Sequence, residues 1–263
     1  MKLGINVDCC GSGFPLPKAL KAIKENGFTH VFLDSFTEAA GAPFDEAAPA
    51  IKEAGLIIDF CHGPFHGINA IYEDNQAGED YYKYLWENID KCAKYDIPGI
   101  IFHLSSGETP PRLNDLGFSR FCALFEHGRE CGVRIHFENI RTLANLASIL
   151  EGIPDAGFCW DVGHEACFAW GLQYMPLFGK RLSALHLHDN HGIHDGDDHM
   201  IPYDACLDYE RIASQIAASP FNGTVMLEVF NGHYPDLSPE EFFVRAGKAA
   251  QRLESRIAQI RRG

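Results

Sequence analysis

Residues 134–164 read RIHFENIRTLANLASILEGIPDAGFCWDVGH. The stretch holds a short apolar run, Arg134–Glu138, a helical pattern, Leu143–Gly152, and a second short run, Gly157–Asp161. Leu143, Leu146, Ile149 and Leu150 recur at the spacing of one helix face. Strand, helix and strand in this order predict two parallel strands, because parallel neighbours need a long return connection. Both runs also end on a carboxylate, Glu138 and Asp161.

The same alternation extends in both directions. Further strands are expected at Lys2–Val7, His30–Leu33, Leu56–Cys61, Gly99–His103, Leu182–His188 and Thr224–Glu228. Helical patterns fall at Leu16–Asn26, Phe44–Ala54, Glu79–Tyr95, Leu116–Cys131, Leu172–Phe178, Asp208–Ala218 and Pro239–Ile260. Eight strand–helix units in 263 residues have the size of a single (β/α)8 TIM barrel. A doubly wound open sheet is the rival, and it usually carries a Gly-rich phosphate turn after its first strand. Here residues 8–17 read DCCGSGFPLP, without the GxGxxG order and with proline where a helix should open. No break in composition marks a second domain, so one barrel domain is expected over residues 1–263.

Composition narrows the function classes. Lysine plus arginine is 22 against 36 aspartate plus glutamate, a net charge of −14. Such a surface repels nucleic acid and anionic membranes unless a local basic patch overrides it. No run approaches the roughly 20 apolar residues of a membrane span, and MKLGINVD at the N-terminus does not read as a signal peptide. Nine cysteines show no CxxC spacing, and Cys61, Cys92, Cys122 and Cys159 sit inside apolar periodic segments. Buried free thiols in a reducing, cytoplasmic setting account for them.

The chemistry lies at the strand ends. In a barrel of this kind the active site forms at the C-terminal ends of the strands. Six consecutive runs finish in histidine or a carboxylate: His62, His103, Glu138, Asp161, the group His186, His188 and Asp189, and Glu228. Each alone has a bland reading: Asp161 could cap the next turn, and Glu138 could pair with Arg141. Together they would pack several carboxylates side by side, at a cost that a divalent cation removes. Imidazole and carboxylate suit zinc or manganese. His164, in the loop after the sixth strand, and the Asp197–His199 pair after the seventh extend the set. His191, His194 and His233 lie farther from strand ends and are expected outside it. Alternation along a strand sends Trp160 toward the helices if Asp161 faces the site. It also puts His186 and His188 on one face, with His186 reaching the metal and His188 nearer the rim.

These motifs carry a resemblance over nearly the whole chain. FEN at Glu138, WDVGH from Trp160 to His164, LHLHDN around His186, the D-x-H of Asp197 and His199, and LEVF at Glu228 resemble the xylose isomerase-like (β/α)8 superfamily. That superfamily includes sugar phosphate isomerases and epimerases and the endonuclease IV type of DNA repair enzyme. The resemblance implies Glu138, Asp161, His186 and Glu228 as core metal ligands. In the endonuclease IV branch, His62, His103, His164, Asp197 and His199 would complete a multi-zinc cluster. The loop after the third strand, HGPFHGINAIYEDNQAGED, and the one after the seventh contain no lysine or arginine, which is poor material for binding DNA. Ketose 3-epimerases commonly carry an arginine after the strand-seven histidine, where this chain has Asp189 and Asn190.

The resulting expectation is a metal-dependent isomerase or epimerase of a sugar, sugar phosphate or related hydroxy-carbonyl compound. Such a reaction needs bases on two sides of the substrate and a Lewis acid for the enediolate oxygen. The superfamily implies Glu138 and Glu228 as both ligands and acid/base groups. His164 or His188 would hold a hydroxyl, with Phe14, Phe65 and Tyr72 as walls. The alternative is a multi-zinc hydrolase or lyase of a small molecule, with DNA repair behind it. The expected partner is a small sugar-like substrate, with no nucleic acid and no membrane. Barrels of this kind often dimerise, and no apolar stripe in the sequence argues for or against a homodimer.

Overall fold

In the computed structural model, which describes residues 1–263, strand and helix alternate around a ring. The order is β1 (Lys2–Asn6), α1 (Leu16–Glu25), β2 (His30–Asp34), α2 (Phe44–Glu53), β3 (Ile57–His62), α3 (Gln76–Lys94), β4 (Gly99–Phe102), α4 (Asp115–Cys131) and β5 (Arg134–Glu138). It continues with α5 (Leu143–Gly152), β6 (Gly157–Asp161), α6 (Val162–Phe168), α7 (Met175–Phe178), β7 (Leu182–His186), α8 (Tyr209–Ala218), β8 (Thr224–Leu227) and α9 (Pro239–Arg262). The sheet runs β7-β6-β5-β4-β3-β2-β1-β8 with every ladder parallel. Its two ends meet where Leu187 lies opposite Leu227, Leu187 donating to Met226 O at 3.0 Å and Glu228 donating to Leu187 O at 3.1 Å. This is a single closed (β/α)8 barrel.

Strand alternation divides the apolar residues into two cores. Phe32, Phe60, Ile101, Cys159, Ala184 and Met226 fill the barrel lumen. Their outward neighbours, such as Leu33, Phe102, Trp160 and Leu185, join the larger core under the helices. Trp160 is fully buried there and donates its indole N–H to Glu165 Oε2 at 2.9 Å, as its parity predicts. The lumen residues form the floor beneath the strand ends, where the His186 ring stacks on Phe32 with centroids 5.0 Å apart.

Caps shift several boundaries. α3 starts at Gln76 because the Asn75 side chain accepts from Gly78 N at 3.0 Å. α4 starts at Asp115 because Asn114 does the same for Gly117 N at 2.8 Å. His164 does not lie in a loop: β6 passes directly into α6, with Asp161 as N-cap accepting from His164 N at 2.6 Å. The pattern at 172–178 shortens to α7. All nine cysteines are free, with Cys61, Cys92 and Cys159 buried and Cys122 half-buried. No helix is long and apolar enough to cross a membrane.

Candidate metal centre

Four side chains meet where β5, β6, β7 and β8 end. Donor atoms of Glu138, Asp161, His186 and Glu228 all lie within 4.8 Å of one another. His186 Nδ1 is 3.0 Å from Glu138 Oε1, 3.2 Å from Glu228 Oε2 and 3.9 Å from Asp161 Oδ2. All four residues are buried, and Glu138 Oε2, Asp161 Oδ2 and Glu228 Oε2 take no hydrogen bond. Burial, reinforced by Glu138 and Asp161, pushes the Glu228 carboxyl well above the usual range. Burial also opposes ionisation of Glu138, but His186 and His103 outweigh it and hold that carboxyl well below its usual range. Three crowded carboxylates with unshared buried oxygens are costly without positive charge. One imidazole nitrogen and three such oxygens fit a divalent cation of the zinc or manganese class.

Further donors border this set. His62 Nε2 and His103 Nε2 lie 3.4 and 3.1 Å from Glu138 Oε2, and 3.2 Å from each other. Burial lowers the His103 pKa to about 4, so its ring is neutral near pH 7. On the other side, His164 Nε2 and His199 Nε2 lie 3.2 and 3.3 Å from Asp197 Oδ2. The opposite ring nitrogens face backbone carbonyls. His62 Nδ1 is 2.8 Å from Gly63 O, His164 Nδ1 3.2 Å from Asn139 O, and His199 Nδ1 3.1 Å from Glu228 O. A proton on each Nδ1 leaves the Nε2 lone pair aimed at the carboxylates, the orientation that metal-binding histidines adopt. Asn139 pins the backbone of Asp161, donating to its carbonyl at 2.8 Å and accepting from its N–H at 2.9 Å.

A cavity of about 190 Å³ opens above the cluster, with His62, His103, His164, Asp197, His199 and Glu228 among its lining residues. Phe65 walls it and stacks on His103 with centroids 4.9 Å apart. Phe14 does not. It packs against Phe243 of α9, 6.0 Å between centroids, because the chain after β1 turns outward over that helix. Tyr72 is likewise buried outside the cavity, beside Phe121, with its hydroxyl donating to Leu104 O. His188 is not at the rim. The β7–α8 loop folds back and stacks His199 on it, centroids 4.0 Å apart, leaving His188 fully buried with Nε2 3.2 Å from Asp161 Oδ1. Gly163 makes room for that ring, since a Cβ there would sit 1.9 Å from His188 Cε1. His191, His194 and His233 lie outside the cluster, and Arg141 pairs with Asp195 instead of Glu138.

Two carboxylates went unremarked in the sequence reading. Asp8 follows the first strand, Asp34 ends the second, and both line the cavity. Burial and the neighbouring Asp34 raise the Asp8 pKa to about 6. The signal was the same strand-end rule, since INVD and HVFLD both finish on aspartate. A larger groove of about 570 Å³ lies between α1 and α2, but it shares no lining residue with the strand-end cavity and gathers no donor set.

A closed parallel barrel whose strand ends converge on imidazole and carboxylate donors defines the class. The chain belongs to the xylose isomerase-like TIM barrel family, whose model matches residues 20–254. It is 28% identical over 284 residues to the uncharacterized protein y4fM of Sinorhizobium fredii, covering 92% of this chain and 90% of that one. Among solved structures, an L-ribulose 3-epimerase superposes with a TM-score of 0.76 at 12% identity, over 99% of this chain and 98% of that one. The IolI protein with a bound zinc atom superposes at 0.77 and 15% identity, over 98% of this chain and 99% of that one.

Proposed function

We propose that this protein is a metal-dependent isomerase or epimerase of a sugar or related hydroxy-carbonyl compound, working by proton transfer through an enediolate. The observation that carries the reading is the buried Glu138–Asp161–His186–Glu228 donor set at the foot of a sugar-sized cavity. The similarity to a sugar epimerase and to a zinc-holding barrel supports it. A divalent cation bound there supplies Lewis acidity toward a substrate carbonyl or alkoxide oxygen.

The protein's own groups do the rest. Glu228 borders the cavity and takes a proton from carbon or returns it. Glu138, fully enclosed by His62, His103, His164 and His186, stays ionised and balances the charge of the centre. His164 reaches a substrate hydroxyl from the α6 side, and Phe65 excludes water from the other. The test is exchange of substrate C–H protons with solvent across a set of ketoses and aldoses, measured with metal content per chain. Exchange that needs one metal and vanishes in Glu228→Gln is the expected result. No exchange with any sugar at full metal occupancy would sink the reading.

A second reading has its own observation. Nine donor residues in four overlapping groups at the strand ends, with His103 beside them, exceed what one ion needs. Two or three ions held by these residues would favour hydrolysis of a small ester, because they would supply Lewis acidity to activate a water. More than one metal per chain, with hydrolysis and no proton exchange, would select it.

A further inference from the structure

Outside the metal centre the most exposed large hydrophobic side chain is an aromatic ring. Trp170 follows α6 and is 80% exposed, whereas Trp160 is fully buried. Its φ of +52° is the left-handed region, which is costly for a bulky side chain. Exposure and strain together are a combination that packing would remove, so they point to a role in recognition. The ring rests against His194, 4.3 Å between centroids and tilted by 33°.

Trp170 and His194 wall one side of a cavity of about 200 Å³, completed by Glu108, Arg141, Thr142 and Phe168. This cavity adjoins the metal centre, since the Phe168 ring is 5.2 Å from the ring of His164. The lining chemistry selects the occupant. Arg141 lies 3.9 Å over Phe168, and its charge is matched by Asp195. Glu108 adds a further negative charge, so a phosphate is disfavoured. Thr142 caps α5 without using its hydroxyl on the helix. An electron-rich indole face attracts the partly positive C–H groups on the apolar face of a sugar ring. Arginine, glutamate and threonine offer donors and acceptors to its hydroxyls.

We infer that this rim cavity is a second sugar subsite. It takes a neutral pyranosyl unit joined to the group that reacts in the barrel centre, so the substrate is a glycoside. The inference rests on the proposed sugar chemistry of the centre and extends it.

The test uses the purified protein with four probes that carry no carbonyl: the methyl α- and β-pyranosides of glucose and galactose. Saturation-transfer NMR should show transfer to ring C–H protons of at least one probe, and that probe should change the exposed-tryptophan emission saturably. Trp170→Ala should weaken binding about five- to tenfold, and Trp170→Phe should retain most of it. Melting temperature and metal content should not change in either variant, because the ring is exposed. No transfer from any probe, or transfer that survives in Trp170→Ala, would overturn the inference. So would emission that follows protein concentration instead of pyranoside, which would mark the ring as a contact between copies of the chain. Pyranoside binding without proton exchange at the centre would leave the subsite standing and remove the isomerase reading. Exchange on free sugars without pyranoside binding would do the reverse.

Discussion

Asp161 shows how one side chain serves two structural demands. Its Oδ1 caps α6 and meets His188, while Oδ2 is left unpartnered in the donor cluster. Asparagine keeps the cap but lacks the charge. Asp161→Asn and Glu138→Gln should therefore lose bound metal, by elemental analysis, while the circular dichroism of the barrel is kept. Asp8 offers a pH test. Its pKa is raised from 3.8 to about 6, by burial first and by Asp34 second. A raised folded-state pKa contributes stability that is full below the unfolded value and is lost as pH rises through the folded one. In the metal-free protein, Asp8→Asn should raise the melting temperature above about pH 6 and give no gain near pH 4. An equal gain at both pH values would show that the Asp8 proton is not the cause.

At the scale of elements, α6 and the β7–α8 loop decide the depth of the site. α6 begins directly on β6, so His164 is presented from its first turn instead of swinging on a loop. Gly163 lets that turn approach His188. Gly163→Ala should destabilise the protein by about 1–3 kcal/mol, the usual range for overpacking, read from denaturant melts. The loop is tied down by Asp189, which accepts from Ala205 N at 3.0 Å and Leu207 N at 2.9 Å. It thereby brings Asp197 and His199 over the centre. If those residues hold a second ion, His199→Ala should lower the metal-to-chain ratio by a fraction and leave the four-residue set loaded. A wild-type ratio of one under metal-replete conditions would reassign them to substrate contact.

For the whole molecule, electrostatics argues against nucleic acid. The net charge is −14, and the rim after β3 and β7 carries acids, histidines and aromatics without lysine or arginine. Non-specific DNA affinity comes mostly from counterions released by basic side chains along the contact. Ions bound at the cavity floor would offset only local charge. An abasic-site duplex should therefore remain intact at physiological salt even with zinc restored. Efficient nicking, lost in Glu228→Gln, would move the protein to the repair branch.

Barrel and donor residues were legible in the chain because both follow local rules. Parallel strands with crossover helices impose a strand–helix alternation, and that architecture makes each strand's last residue a site position. Glu138, Asp161, His186 and Glu228 were readable on that ground. Asp8 and Asp34 obey the same rule, but a carboxylate before a turn is too common to stand out until the ring closes. Tertiary structure alone decided which aromatics meet the cavity. Phe14 and Phe65 both follow a strand, yet one packs under α9 and the other on His103. It also decided that His188 lies beneath His199 and that Trp170 stays in the open. Strand parity is set by neighbouring backbone dihedrals and so is written locally. The course of a loop is set by contacts with residues distant in sequence, and those exist only once the barrel has closed.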